Sequence, residues 1–246
     1  MEKQEYDKMY QQENFFWWYK VLHEIVKSFV KKKTQGRQQK IFDAGCGTGR
    51  MAELLQNEGE ISGMDFSKEA VAYSKERGLE RISQGDINTW EFKENYYDFI
   101  ISLDVLCHES IFNEKEIYKR MNNGLKQGAF LILNLPAFNY LKRDHDICVQ
   151  TKKRFRKVAV IKDLNETGFE VKKATYRMPI LYFIILLQKA KRKIIKPKKT
   201  NSDLNSVPNW INKTFYTLGK IENYYLTRIG SIPFGSSLFI IAQKPK

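Results

Sequence analysis

Cysteine, histidine and proline are all scarce in this chain: 3 Cys, 3 His and 6 Pro among 246 residues. Cys46, Cys107 and Cys148 are odd in number and lack CxxC spacing, which argues against a disulfide framework or a zinc site. No stretch reaches the roughly 18 consecutive apolar residues that a membrane span requires. The opening MEKQEYDKMY lacks the apolar region of a secretory signal. The expectation is a cytoplasmic protein, either soluble or peripheral at the inner membrane face. Acidic residues are also short in one half. Residues 141–246 hold 23 Lys and Arg against 7 Asp and Glu, whereas residues 1–140 hold 19 against 21. The net charge of +14 therefore comes from the second half. Such asymmetry fits a polyanionic partner there (nucleic acid, a phosphorylated substrate or an anionic membrane) or a lysine-rich solvated surface.

What is plentiful is apolar and aromatic. The chain is 42% hydrophobic and 13% aromatic, enough for a full core in one or two domains. In FFWWYKVLHEIVKSFVKKK, residues 15–33, Leu22, Ile25, Val26, Phe29 and Val30 share one face at helical spacing. TQGRQQ reads as a linker. From Lys40 strand and helix patterns alternate. KIFDAG is a strand and GRMAELLQNEG a helix closing at Gly59. EISGMDF is a strand, followed by the helix SKEAVAYSKERG, which Ser67 caps and Gly78 ends. RISQGD and YYDFIISLDVL are strands, and the apolar centre FIISL of the latter suits burial on both faces. EKEIYKRMNNGL is a helix and GAFLILNLPA a strand. VAVIKDLNET reads as a helix, GFEVKKATYRM as a strand, and TNSDLNSVPN as a loop. WINKTFYTLGKIENYYL is another helix, and PFGSSLFIIAQK ends the chain as a strand. This alternation predicts an α/β fold, doubly wound and mostly parallel, which binds ligands beyond the carboxyl ends of its strands.

IFDAGCGTGR places glycines at 45, 47 and 49 between a strand and a helix, a turn built for a polar or anionic ligand. A nicotinamide dinucleotide site wants GxGxxG, and here the third glycine comes one residue early. Asp43, beside the turn, would repel a pyrophosphate but suits an ammonium group. Asp65 closes the next strand, 20 residues beyond Gly45, where a carboxylate can accept both ribose hydroxyls. Asp86 closes the strand after that. Three acidic strand ends in register with a glycine loop call for one ligand rich in hydroxyls and amines.

These segments, with FIISLDVLCH and LKQGAFLILNLP, resemble the class I S-adenosylmethionine-dependent methyltransferases over about residues 38–137. The resemblance implies a seven-stranded, Rossmann-like sheet and S-adenosylmethionine as cofactor. It implies that Gly45, Cys46, Gly47 and Gly49 wrap the methionine and ribose, that Asp65 accepts the ribose hydroxyls, that Asp86 and Ile87 meet the adenine, and that Phe66 is among the cofactor-binding residues. Asp43 would lie near the amino end of the cofactor, and Leu103 and Asp104 near its sulfonium and amino group. The domains expected are a lid helix region over 1–37, a cofactor-binding core over 38–180, a helical, basic insertion over 181–232 and a final strand over 233–246.

Methyl transfer from a sulfonium is an in-line displacement, so the protein mainly aligns the partners. An oxygen nucleophile needs a base, whereas a neutral amine need only shed a proton. His108 and His145 are the catalytic candidates, with His145 also a candidate for binding the acceptor. Many relatives carry Glu where Cys107 stands, which weighs against a metal-assisted role, and no metal is expected. Tyr10, Trp18 and Tyr19, on a segment that resembles the lid of small-molecule methyltransferases, are candidates for the acceptor pocket. The acceptor expected is a small or lipid-linked metabolite, of the bacterial surface-sugar or natural-product type. PILYFIILLQKAKRKIIKPKK suits either contact with an anionic membrane through 180–199 or packing on the domain. RNA modification through the basic half is the weaker alternative, since no RNA-binding module or (N/D)PPY sequence is present. A non-catalytic cofactor-binding protein is the other.

Overall fold

The computed structural model describes residues 3–194 and 207–246. Two helices, α1 (Lys3–Gln12) and α2 (Trp17–Thr34), precede the sheet. Then follow β1 (Gln39–Ala44), α3 (Arg50–Leu55), β2 (Gly59–Asp65), α4 (Lys68–Glu76), β3 (Ile82–Gln84), β4 (Tyr97–Leu103), α5 (Glu114–Gly124) and β5 (Leu125–Pro136). The second half holds α6 (Asp144–Cys148), α7 (Lys157–Glu166), β6 (Glu170–Arg177), α8 (Pro179–Ile194), α9 (Asn209–Arg228) and β7 (Ser237–Gln243). The seven strands lie in the order β3-β2-β1-β4-β5-β7-β6. β7 pairs antiparallel with both β5 and β6, while β1 to β5 pair in parallel. The doubly wound, mostly parallel sheet is thus present, with one strand reversed.

Both faces of the sheet are buried, which is why its central strands read as continuous apolar runs. Phe42, Ile100, Leu131 and Leu133 pack with Ile117 and Tyr118 of α5 and with Val160 and Leu164 of α7. Ile41, Phe99, Ile101 and Ile132 point the other way, to Leu22, Val26 and Val30 of α2 and Met51 and Leu55 of α3. Alternate residues of one strand therefore feed two separate cores.

Local signals explain several boundaries. The Ser67 hydroxyl accepts from the backbone N–H groups of Glu69 and Ala70, capping α4. Asn113 caps α5 in the same way. Gly59 departs from expectation. It opens β2 rather than ending a helix, after a short 3₁₀ turn at Gln56–Glu58. A Cβ there would lie 2.1 Å from the Gln39 carbonyl oxygen, so the strand pairing itself requires glycine. The N-terminal segment also differs, since α1 is separate from α2. The apolar run from Pro179 forms the helix α8. The loop expected over 200–209 lies largely outside the described residues, as does the basic run from 195. On the far side of α2, α9 packs so closely that a Cβ on Gly219 would lie 2.5 Å from Val21 Cγ2.

Candidate active site

The carboxyl ends of β1, β2 and β4 open into one cleft of about 490 Å3. Its floor is the glycine turn. The N–H groups of Gly45 and Cys46 donate to the Met64 carbonyl at 2.8 and 3.0 Å, fixing the turn to β2. Gly45 has φ +82°, and a Cβ there would lie 2.3 Å from Val105 Cγ2, so no side chain fits. Asp65 ties three elements together. Its carboxylate accepts from the Gly47 N–H (2.8 Å), the Ser67 N–H (3.0 Å) and the Tyr6 hydroxyl (3.2 Å). The Tyr6 bond brings α1 across the cleft.

Two carboxyls are held in unusual settings. Asp43 is buried, and its Oδ2 has no hydrogen-bond partner. Burial, with the charge of Asp65 added, pushes its pKa up to about 7. Asp104 follows β4 with φ +58°, a conformation that costs a non-glycine residue energy. Burial pushes its carboxyl up to about 7 as well, against the 2.7 Å donation from Asn134 Nδ2. Two desolvated carboxyls facing one cleft fit a ligand that brings positive charge. Burial also lowers the His108 imidazole to about 4, so it is neutral near pH 7, though a weaker base than a solvated imidazole.

Most residues expected from the sequence line this cleft together: Asp43, Gly45, Cys46, Gly47, Asp65, Phe66, Asp86, Ile87, Leu103 and Asp104 on the cofactor side. Phe66 is exposed, with an open face for a flat ring. Asp86 accepts from the N–H and side-chain amide of Asn88, which in turn holds the segment around Ser110 and Phe112. His108, His145, Trp18 and Tyr19 line the same cleft. Gly49 and Tyr10 stand back from it. Gly49 is required by packing, since a Cβ would lie 2.6 Å from Ser74 Oγ and 2.8 Å from Leu79. Tyr10 stacks on Tyr73 at 4.3 Å and lies under the Arg77 guanidinium, so it fastens α1 to α4.

Other groups in the cleft were not foreseen. Arg50, first residue of α3, lines it, and its place directly after the glycine turn was a usable signal. Arg154 lines it too, held by Asp146 through bonds of 2.8 and 3.0 Å. Tyr6, Glu13, Leu181, Ile184, Ile211 and Phe215 complete the wall, and no local pattern marks them. Glu13 accepts from Thr48 Oγ1 at 2.5 Å and from Arg77 at 2.6 Å, joining the lid to the glycine turn.

Comparison with known proteins agrees with this geometry. Residues 42–133 match the family model described as a methyltransferase domain. Malonyl-[acyl-carrier protein] O-methyltransferase of Paenibacillus sp. is 25% identical over 122 residues, 44% of each chain. The chain spans about half the length of the curated relatives it matches, between 44% and 60%. A methyltransferase structure from Archaeoglobus fulgidus superposes with a TM-score of 0.58 at 19% identity, covering 90% of this chain and 94% of that one. Phosphoethanolamine N-methyltransferase 2 of Haemonchus contortus, in complex with S-adenosyl-L-methionine, gives 0.56 at 19%, covering 89% and 52%. The glycine turn, the acidic strand ends, the strand order and the matched segment agree: this chain carries a class I S-adenosylmethionine-dependent methyltransferase domain.

Proposed function

We propose that the protein transfers a methyl group from S-adenosylmethionine to an oxygen or nitrogen of a small or lipid-linked metabolite. The observation that carries this reading is that one cleft is lined both by Asp43, Asp65, Asp86 and Asp104 and by His108 with the apolar Trp17, Trp18, Leu181, Ile184 and Phe215. The acidic residues suit the cofactor, and the apolar wall would receive the acceptor.

Asp65 would take the ribose hydroxyls, Phe66 and Ile87 the adenine ring, and Asp43 and Asp104 the positive groups. The cofactor supplies a methyl already activated by its positive sulfur. The chain's own work is alignment, exclusion of water under α1, and proton removal. His108, neutral near pH 7, would take the proton from an acceptor hydroxyl as the new bond forms. An amine acceptor would need only the alignment. The names of the relatives include both an O- and an N-methyltransferase. The acceptor proposed is of the surface-sugar or natural-product type. The protein would work in the cytoplasm.

Labelled methyl transfer into a bacterial extract, partitioned into lipid, small-molecule, RNA and protein fractions, tests the reading. Label in the lipid or small-molecule fraction is expected. Label in RNA overturns the acceptor class. No label in any fraction, with cofactor binding intact, supports a non-catalytic cofactor-binding protein.

A further inference from the structure

The apolar run of β5 is broken by one polar side chain. Asn134 follows Leu131, Ile132 and Leu133, precedes Leu135, and is 0% exposed. An amide buried there does little for the fold. Its Oδ1 has no hydrogen-bond partner among the described residues. A buried polar atom in that state costs stability, and an apolar side chain of similar size would avoid the cost. The other half of the amide is engaged at the cleft. Nδ2 donates to Asp104 Oδ2 at 2.7 Å, and the Asn134 carbonyl accepts from the Asp104 N–H at 2.8 Å.

Asp104 is a residue that needs such holding. It leaves β4 with φ +58° and lines the cleft. A side-chain-bearing residue keeps that conformation where its surroundings over-determine it. Both bonds come from one position of the neighbouring strand, where Asn134 pairs with Leu103. Backbone and carboxylate of Asp104 are thus fixed together. Charge reaches the same carboxyl from Arg154, after α6, and from Arg177 of β6. Those two cations are themselves paired, Arg154 with Asp146 and Arg177 with Glu222. The Tyr19 hydroxyl of α2 and the Cys107 thiol also face it, and burial keeps both neutral near pH 7. Asn134 adds a direct hydrogen bond, and donation to a carboxylate favours its ionised form.

We propose that Asn134 is a positioning residue for the cofactor: it clamps Asp104 so that an ionised carboxylate faces the cleft and meets the positive end of the ligand. The identity of that ligand rests on the methyl-transfer reading, whereas the clamp can be read in the ligand-free protein.

Asn134→Leu tests it, because leucine suits the surrounding run and cannot donate. By calorimetry at pH 7 the variant should bind S-adenosylmethionine on the order of tenfold more weakly than wild type. Carbon-13 carboxyl shifts of the ligand-free variant should show Asp104 titrating about one pH unit or more higher than in wild type. In an Asp104→Asn background, where no charge remains to be held, the same substitution should change affinity by less than about twofold. If Asn134→Leu fails to fold, Asn134→Ser carries the same expectations. Wild-type affinity in the single variant, or an unmoved Asp104 titration, would overturn the proposal. So would an equal loss in the Asp104→Asn background, which would make Asn134 a residue of the fold alone. If wild type binds no S-adenosylmethionine while the Asp104 titration moves as expected, the clamp stands and the methyl-transfer reading falls.

Discussion

Binding of S-adenosylmethionine should depend steeply on pH on the acid side of neutrality. Asp43 and Asp104 are both buried, and burial pushes each to about 7. Below that, the ligand-free protein holds them protonated, and a cationic ligand must displace the protons. The sulfonium charge is fixed, and an α-amino group with a pKa near 8 stays charged through this window. If one carboxyl with a pKa of about 7 must ionise, affinity rises about fifteenfold from about pH 5.5 to about pH 7. Two such carboxyls give a rise on the order of a hundredfold or more. Titration calorimetry in buffers of different ionisation enthalpy would read both the affinity and the protons released. Asp43→Asn should keep only the part carried by Asp104, with a shallower slope. An affinity flat across that range, or an Asp43→Asn slope equal to wild type, would refute the reasoning. The same shifts fix the sign for stability. Between the unfolded value of an aspartate, about 4, and about 7, the folded state binds more protons than the unfolded state. These two groups therefore make the ligand-free protein less stable as pH rises through that window, and cofactor restores what they lose.

His108→Gln should lower kcat by about 100- to 10,000-fold for a hydroxyl acceptor, with cofactor affinity unchanged within about twofold. An unaltered kcat in single-turnover measurements would remove the base from His108. Arg77→Met should release the lid, because Glu13 and Arg77 form a buried pair and Arg77 Nε also donates to the Thr48 carbonyl at 2.9 Å. Breaking such a pair costs about 3–5 kcal/mol, so amides of α1 should exchange at least about a hundredfold faster. Exchange confined to wild-type rates by mass spectrometry would mean the pair does not hold α1.

How much of this was legible in the sequence follows from where each signal is stored. β4 and β5 announce themselves because both faces are buried, so their centres, FII and AFLIL, are unbroken apolar runs. Asp65 ends β2, Asp43 stands one residue before the end of β1, and Asp86, expected to close its strand, lies two residues past β3; all three are visible because strand ends in a parallel sheet share one edge. Pairing across the fold is not stored locally. Gly59 looks like a helix stop, yet it is glycine because Gln39 approaches it. Gly49 looks like part of the ligand turn, yet Ser74 and Leu79 dictate it. Tyr10 reads as a pocket aromatic, yet Tyr73, 63 positions on, claims its ring. Glu13 lies in a polar segment with nothing to mark it, and only contact with Thr48 and Arg77 makes it the fastener of the lid.

The wall that α8 and α9 give the cleft follows from a single reversed strand. β6 ends at Arg177, opposite Ser237, where β7 begins. Because β7 runs against its neighbours, the chain leaves β6 and enters β7 at the same edge of the sheet. Ser237 also pairs with Pro136, the carboxyl end of β5, and Pro136, Ser236 and Ser237 all line the cleft. Whatever connects β6 to β7 must therefore stand over the carboxyl ends, where the cofactor side lies. That connection carries α8 and α9. Had β7 been parallel, the link would have had to cross to the far edge of the sheet before entering it. Substitutions at Leu181, Ile184, Ile211 or Phe215 can then change which acceptor fits, while the turn from Asp43 to Gly49 and the acidic strand ends stay untouched.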